Sequence, residues 1–119
     1  MDPTKEEMRW AADYAARVLR VFLDVHPTLS MQLIKTFEAV ANEPGLTAQE
    51  YAQRLGTPSD VVTIRLADLS ALNHHRKPGP ALVASSIDIR DHRKKRHHLS
   101  LRGRLVLERL ATVKPRKTQ

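Results

Sequence analysis

The residues best equipped to do chemistry in this 119-residue chain lie between positions 88 and 96. Asp88, Arg90, Asp91, Arg93, Lys94, Lys95 and Arg96 put seven charges into nine positions, five of them positive. Cations packed this closely repel one another and attract a polyanion, above all the phosphates of nucleic acid. The rest of the sequence carries the same bias. Residues 1–73 hold 7 Lys and Arg against 10 Asp and Glu, a net charge of −3, whereas residues 74–119 hold 13 against 3, a net charge of +10. The whole chain stands at +7, with a pI near 10.3. An acidic body with a basic end is the charge distribution of a nucleic-acid binder; a merely solubilising tail is the weaker reading.

Other chemistries find little support. The chain has no cysteine, which excludes disulfides, thiolate metal ligands, a cysteine nucleophile and a thiol switch. His74, His75, His92, His97 and His98 fall in the basic half, and His26 stands apart. Adjacent histidines on a strand point to opposite faces and the nearby acids are few, so neither a metal site nor a cofactor is expected. The histidines instead add positive charge as pH falls. There is no glycine-rich phosphate loop, no HExxH and no GxSxG elbow, so no enzyme is expected. No apolar run approaches the roughly 18 residues of a membrane span. The first seven residues are mixed in charge, unlike a secretory leader, and a cytoplasmic location is expected.

The elements that must position the basic segment are helical. The mean hydropathy of −0.43 is that of a soluble domain, and a chain of this length builds one core. Met8, Ala11, Ala15, Val18, Phe22 and Val25 recur at three- and four-residue steps, which predicts a helix over roughly 4–25. Asp2 with Pro3 at the first turn, or Thr4 with Glu7 as a capping box, would open it. A second apolar line through Trp10, Tyr14 and Val21 gives that helix more than one apolar side, so it needs a partner. Ser30 opens a second helix to about residue 42, and Thr47 with Glu50 a short third one ending at Leu55. Gly56 suits the left-handed position after it. Thr57 is expected to cap a fourth helix with Pro58 in its first turn and Val62, Leu66, Leu69 and Leu72 facing inward. Two helices joined by so short a glycine-containing turn form a helix-turn-helix. Val83, Ser85, Ile87 and Ile89 then alternate on one side of a strand, the basic segment makes a tip, and His97, Leu99 and Leu101 alternate back. A last helix over roughly 101–113 carries Leu105, Val106, Leu110 and Val113, followed by a basic tail at 114–119.

A helix-turn-helix followed by a basic hairpin resembles the winged helix of the MarR family of bacterial transcription regulators, over roughly residues 30–112. That family's wing reads Asp-x-Arg, a basic run, then Leu-Thr/Ser-x-x-Gly. Here Asp91-His92-Arg93 precedes Lys94-Lys95-Arg96-His97-His98 and Leu99-Ser100-Leu101-Arg102-Gly103 without a gap. Upstream, Leu46-Thr47-Ala48-Gln49-Glu50-Tyr51-Ala52-Gln53-Arg54-Leu55-Gly56 is similar to Leu-Thr-x-x-Glu-Leu-Ala-x-x-Leu-Gly, with Tyr51 in place of leucine. Two further stretches depart from the family pattern. Ile64 follows Val62-Thr63 where the family often has arginine, and Asn73 to Pro80 stand where it has Gly-Leu-Ile.

The resemblance implies a mainly α fold with a small β-hairpin, in one winged helix-turn-helix domain over 1–113. It implies a homodimeric regulator of double-stranded DNA, by default a repressor, with a small-molecule effector between the dimerisation region and the core. The recognition helix would present Thr57, Ser59, Asp60, Thr63, Ile64 and Ala67 to the major groove. Asp60 is as well explained as a capping residue. The wing would bring Arg90, Arg93, Lys94, Lys95 and Arg96 to the minor groove, with Asp91 holding Arg93 or the turn backbone. Dimerisation would use Trp10, Tyr14, Val18, Val21 and Phe22 of the first helix with Leu105, Val106, Leu110 and Val113 of the last. The alternative is a protein-interaction module with the same fold and no sequence-specific DNA reading.

Overall fold

Hydroxyl caps set most of the helix starts. In the computed structural model, which describes residues 2–27 and 29–113, Thr4 and Glu7 close both halves of a capping box at 3.1 and 2.8 Å. Thr4 therefore wins over Asp2, and α1 runs Lys5–Val25. Ser30 accepts from the Leu33 amide at 3.2 Å and opens α2 (Met31–Asn42). Thr47 and Glu50 form a second capping box and open α3 (Ala48–Leu55). Gly56, at φ +62°, ends α3 in the left-handed conformation that a side chain would disfavour.

Here one expectation fails. The cap of α4 (Ser59–Asp68) is Pro58, with no side-chain bond, and not Thr57. Thr57 is consumed in closing α3, its amide donating to Ala52 O at 3.1 Å and its hydroxyl to Leu55 O at 3.3 Å. Two antiparallel strands follow, β1 (Val83–Ile87) and β2 (Lys95–Leu99), in a register that pairs Val83 with Leu99 and Ile87 with Lys95. The Ser100 hydroxyl accepts from the Gly103 amide at 3.0 Å and opens α5 (Leu101–Thr112). The architecture is the mainly α winged helix-turn-helix that the motifs implied. The basic tail at 114–119 lies outside the described residues.

The core is aliphatic with a few rings. Phe37, Val40, Tyr51, Val62, Leu66, Leu69 and Leu82 are buried where α2, α3 and α4 meet the root of the hairpin. Removing one such side chain from water contributes about 1.5–3 kcal/mol. Phe22 of α1 meets Phe37 edge-on at 6.0 Å, which fastens the amino-terminal helix to this core. Val21, Phe22 and Val106 are all interior within the single chain. This corrects their assignment to a dimer face: the inner stripe of α1 is spent on α2 and α5 before any second chain arrives. Leu72, expected to face inward from α4, is 50% exposed, because the helix stops at Asp68 and Leu72 belongs to the turn after it. Ile87 and Ile89 are exposed as well, since the hairpin outruns the helical body beyond Val83.

The wing root is tied to the helices through the backbone. Gly45 N donates to His97 O at 2.7 Å and His97 N to Leu46 O at 3.0 Å, so the α2–α3 turn is joined to β2 by a single antiparallel bridge. Tyr51 completes the joint. Its hydroxyl donates to Glu43 O at 2.7 Å, approaches His97 O at 3.3 Å and accepts from Leu46 N at 3.4 Å.

Candidate nucleic-acid interface

Two carboxylates shape the basic tip. Asp88, only 7% exposed, accepts from Arg90 N at 2.8 Å, and its own amide donates to Lys94 O at 2.9 Å. The Arg90 amide and then the Arg96 guanidinium hold this carboxyl below the usual range. Asp91 accepts from Arg93 Nε and Arg93 N, both at 3.1 Å, and these bonds lower its carboxyl too. Asp91 thus holds both Arg93 and the turn backbone, as the sequence predicted. The Arg93 side chain is nevertheless 91% exposed. An ion pair this open to water is weak, so the guanidinium can exchange Asp91 for a phosphate at little cost.

Arg96 is placed differently from its neighbours. Its Nε and its NH2 lie 3.1 and 2.9 Å from Asp88 Oδ2, and its NH1 donates to Gly45 O at 2.8 Å. Glu50 Oε1 is 3.8 Å away. Arg96 therefore bolts the wing to the α2–α3 turn, where the sequence reading had set it with the cations of the tip. The reason is strand geometry. Ser86 faces Arg96 across the hairpin, two positions before Asp88 and so on the same face of the chain, and the Arg96 side chain reaches that carboxylate.

Between α4 and the wing lies an open cleft of about 800 Å³. Ser59, Thr63 and Ala67 form its helical wall, and Arg93, Lys94 and Lys95 rise on the wing side above Ala84 and Ser85. These six of the eleven residues expected at a DNA surface are brought together. The other five are not part of the cleft. Asp60 sits exposed in the first turn of α4, where its Oδ1 accepts from Val61 N at 3.0 Å. Arg90 is exposed at the tip, and Thr57 and Arg96 are engaged as described. Ile64, 45% exposed, lies about 100° around α4 from Thr63 and lines a shallow depression with Leu33, Val61 and Arg65.

The cleft also contains residues that the sequence reading did not place there. Thr47 and Gln49 reach it from the start of α3, and Ser70, Asn73, His74 and Arg76 close its end. The basic run at 74–77 was a usable signal. In the sequence it stands only as the stretch that replaces Gly-Leu-Ile after the recognition helix, because only the fold returns that segment to the cleft.

No group of three or more His, Asp or Glu is placed to hold a metal ion among the described residues, and no described helix is long and apolar enough to cross a membrane.

Solved structures with this architecture include transcription regulators. A MarR family transcription regulator superposes on 91% of this chain and 63% of its own length, at 16% identity and a TM-score of 0.61. FabT of Streptococcus pneumoniae, solved in complex with DNA, covers 87% of this chain and 68% of its own at 17% identity, with a TM-score of 0.59. PcaV of Streptomyces coelicolor, solved with its natural ligand, covers 95% and 77% at 18% identity, with a TM-score of 0.57. The chain thus spans 63–77% of the length of these three proteins. At such identities the likeness is one of fold. No protein-family model matches the chain, and no curated protein sequence does.

Proposed function

We propose that this chain is a transcription regulator that binds double-stranded DNA sequence-specifically as a homodimer and represses by occupying its operator. The observation that carries the reading is the cleft, with the exposed hydroxyls of Ser59 and Thr63 on one wall and Arg93, Lys94 and Lys95 on the other. A helix enters the major groove, and arginines are drawn to the negative potential of a narrow minor groove. The fold shared with a regulator solved on DNA supports the same reading. A small-molecule effector, implied by the family resemblance, is sought as a compound that lowers the affinity for the selected operator.

The test is selection of bound fragments from genomic DNA, followed by salt titrations on the selected duplex and on a random one. Arg93→Ala should weaken the selected complex by about 1–3 kcal/mol, the size of a good groove contact. Thr63→Ala should change the preferred base at one or two positions. Equal affinity for selected and random duplexes would defeat sequence-specific regulation. It would favour the second reading, a protein-interaction module, whose supporting observation is that the exposed helical wall of the cleft contains no lysine or arginine.

A further inference from the structure

The segment that follows α4 is built as firmly as the wing, and it faces the wing across the same cleft. Leu72 and Pro78 bridge its base, and Asn73 N donates to Lys77 O at 2.8 Å. The Asn73 side-chain oxygen accepts from His75 N at 2.9 Å and from Lys77 N at 3.0 Å. Asp68, in the last turn of α4, accepts from His74 N at 3.0 Å, and the His74 ring nitrogen Nδ1 lies 2.6 Å from the same oxygen. The His75 ring lies against that of His74, tilted by 42°, with 3.8 Å between ring centroids. Inside this turn Arg76 stands at φ +61°, a conformation uncommon for any residue but glycine. The turn therefore holds an exposed arginine in a disfavoured backbone state at the rim of the cleft, opposite Arg93, Lys94 and Lys95.

We infer that residues 73–77 form a third DNA-holding element, in which Arg76 and Lys77 grip the sugar-phosphate strand that runs through the cleft. The inference rests on the proposed DNA-binding reading. A helix in the major groove and a wing in the adjacent minor groove straddle the one strand that separates those grooves, so that strand must occupy the space between them. Cations then flank it from both ends: the wing lysines on one side and Arg76 on the other, with Lys77 exposed beside Arg76 in the same turn. The negative groups nearby are already committed. Asp68, beside the turn, is bonded to His74, and Asp88, at the wing, to Arg96. Contacts of this kind hold and orient the duplex without reading bases.

The experiment is a salt titration of the full chain on its selected duplex and on a random duplex, comparing wild type with Arg76→Gly and Lys77→Ala. Glycine accepts the left-handed backbone, so Arg76→Gly removes the cation and keeps the turn; thermal unfolding checks that it does. Each variant should reduce the slope of log K against log salt by about one and weaken both duplexes by the same factor. Arg76→Lys should restore the slope. Lys35→Ala, on the exposed surface of α2, should leave it unchanged. Unchanged slopes in both loop variants, with Arg93→Ala still weakening the complex, would overturn the loop assignment and leave the proposed function standing. In that outcome the loop serves some other partner, such as an acidic protein. A wild-type chain with no affinity for DNA would overturn both.

Discussion

At the scale of single residues, the joint between wing and helices depends on two side chains whose backbone partners do most of the holding. Tyr51 stands where the family motif has leucine, and its buried hydroxyl serves three backbone groups at once. Tyr51→Phe keeps the ring and leaves those groups short of a partner. It should cost about 1–2 kcal/mol in urea unfolding, the penalty for a buried polar group left unsatisfied. A neutral result would mean that water replaces the hydroxyl. His97 packs at 6.3 Å from the Tyr51 ring, and burial, aided by Lys95 and His98, pushes its imidazole from 6.5 down to about 4. The folded state thus prefers the neutral ring, while the unfolded chain protonates it below about 6.5. Stability is full above that pH and falls as pH drops towards 4, by roughly 3 kcal/mol at most. The carboxylates of Asp68, Asp88 and Asp91, all lowered in the fold, lose their contribution only below the ordinary carboxylate range. Unfolding measured at pH 7.5, 5.5 and 4.5 should show the fall in wild type and a flatter profile in His97→Gln; parallel profiles would refute the assignment.

At the scale of elements, the placement of the wing depends on close backbone approach as much as on its charges. Gly103, in the first turn of α5, is buried against Leu82. A methyl group there would collide with the Leu82 carbonyl, which also accepts from Ser100 N at 3.0 Å. Gly103→Ala should therefore destabilise the chain by about 1–3 kcal/mol, the range for overpacking a tight core, although alanine is the better helix former. An increase in melting temperature would show that α5 can slide away at no cost. The glycine of the Leu-Ser-x-x-Gly motif is legible in the sequence as a family resemblance. Its physical reason, a carbonyl 21 positions upstream, is visible only in the fold.

At the scale of the molecule, the proposed homodimer would account for apolar surface that the single chain leaves exposed. The radius of gyration is 16.5 Å, against about 13.5 Å for a compact chain of this length. α1 leaves Met8, Tyr14, Leu19 and Leu23 exposed, and α5 leaves Leu101, Leu105 and Leu107 exposed. Apolar surface spread this widely marks an interaction site. A symmetric dimer through these helices should sediment at twice 13.5 kDa at micromolar concentration. It should set its two recognition helices about 34 Å apart, one turn of DNA. Leu23→Asp with Leu105→Asp should shift the mass to that of one chain while the monomer keeps its helical spectrum. A monomeric wild type would contradict the proposal.

The helices, the turn between α3 and α4 and the basic hairpin are legible in the residues alone. Each rests on local chemistry: a hydroxyl three residues before an amide it can bond, a glycine after a last apolar residue, apolar spacing of three and four. The sequence also carried the segregation of charge, since net charge needs no coordinates. Tertiary structure alone decided which apolar face of α1 is interior, that Arg96 turns back to Asp88 and Gly45, and that the segment at 73–77 shares a cleft with the wing. Those outcomes depend on which distant residues compete for the same side chain or the same space, and periodicity along a chain holds no record of that competition.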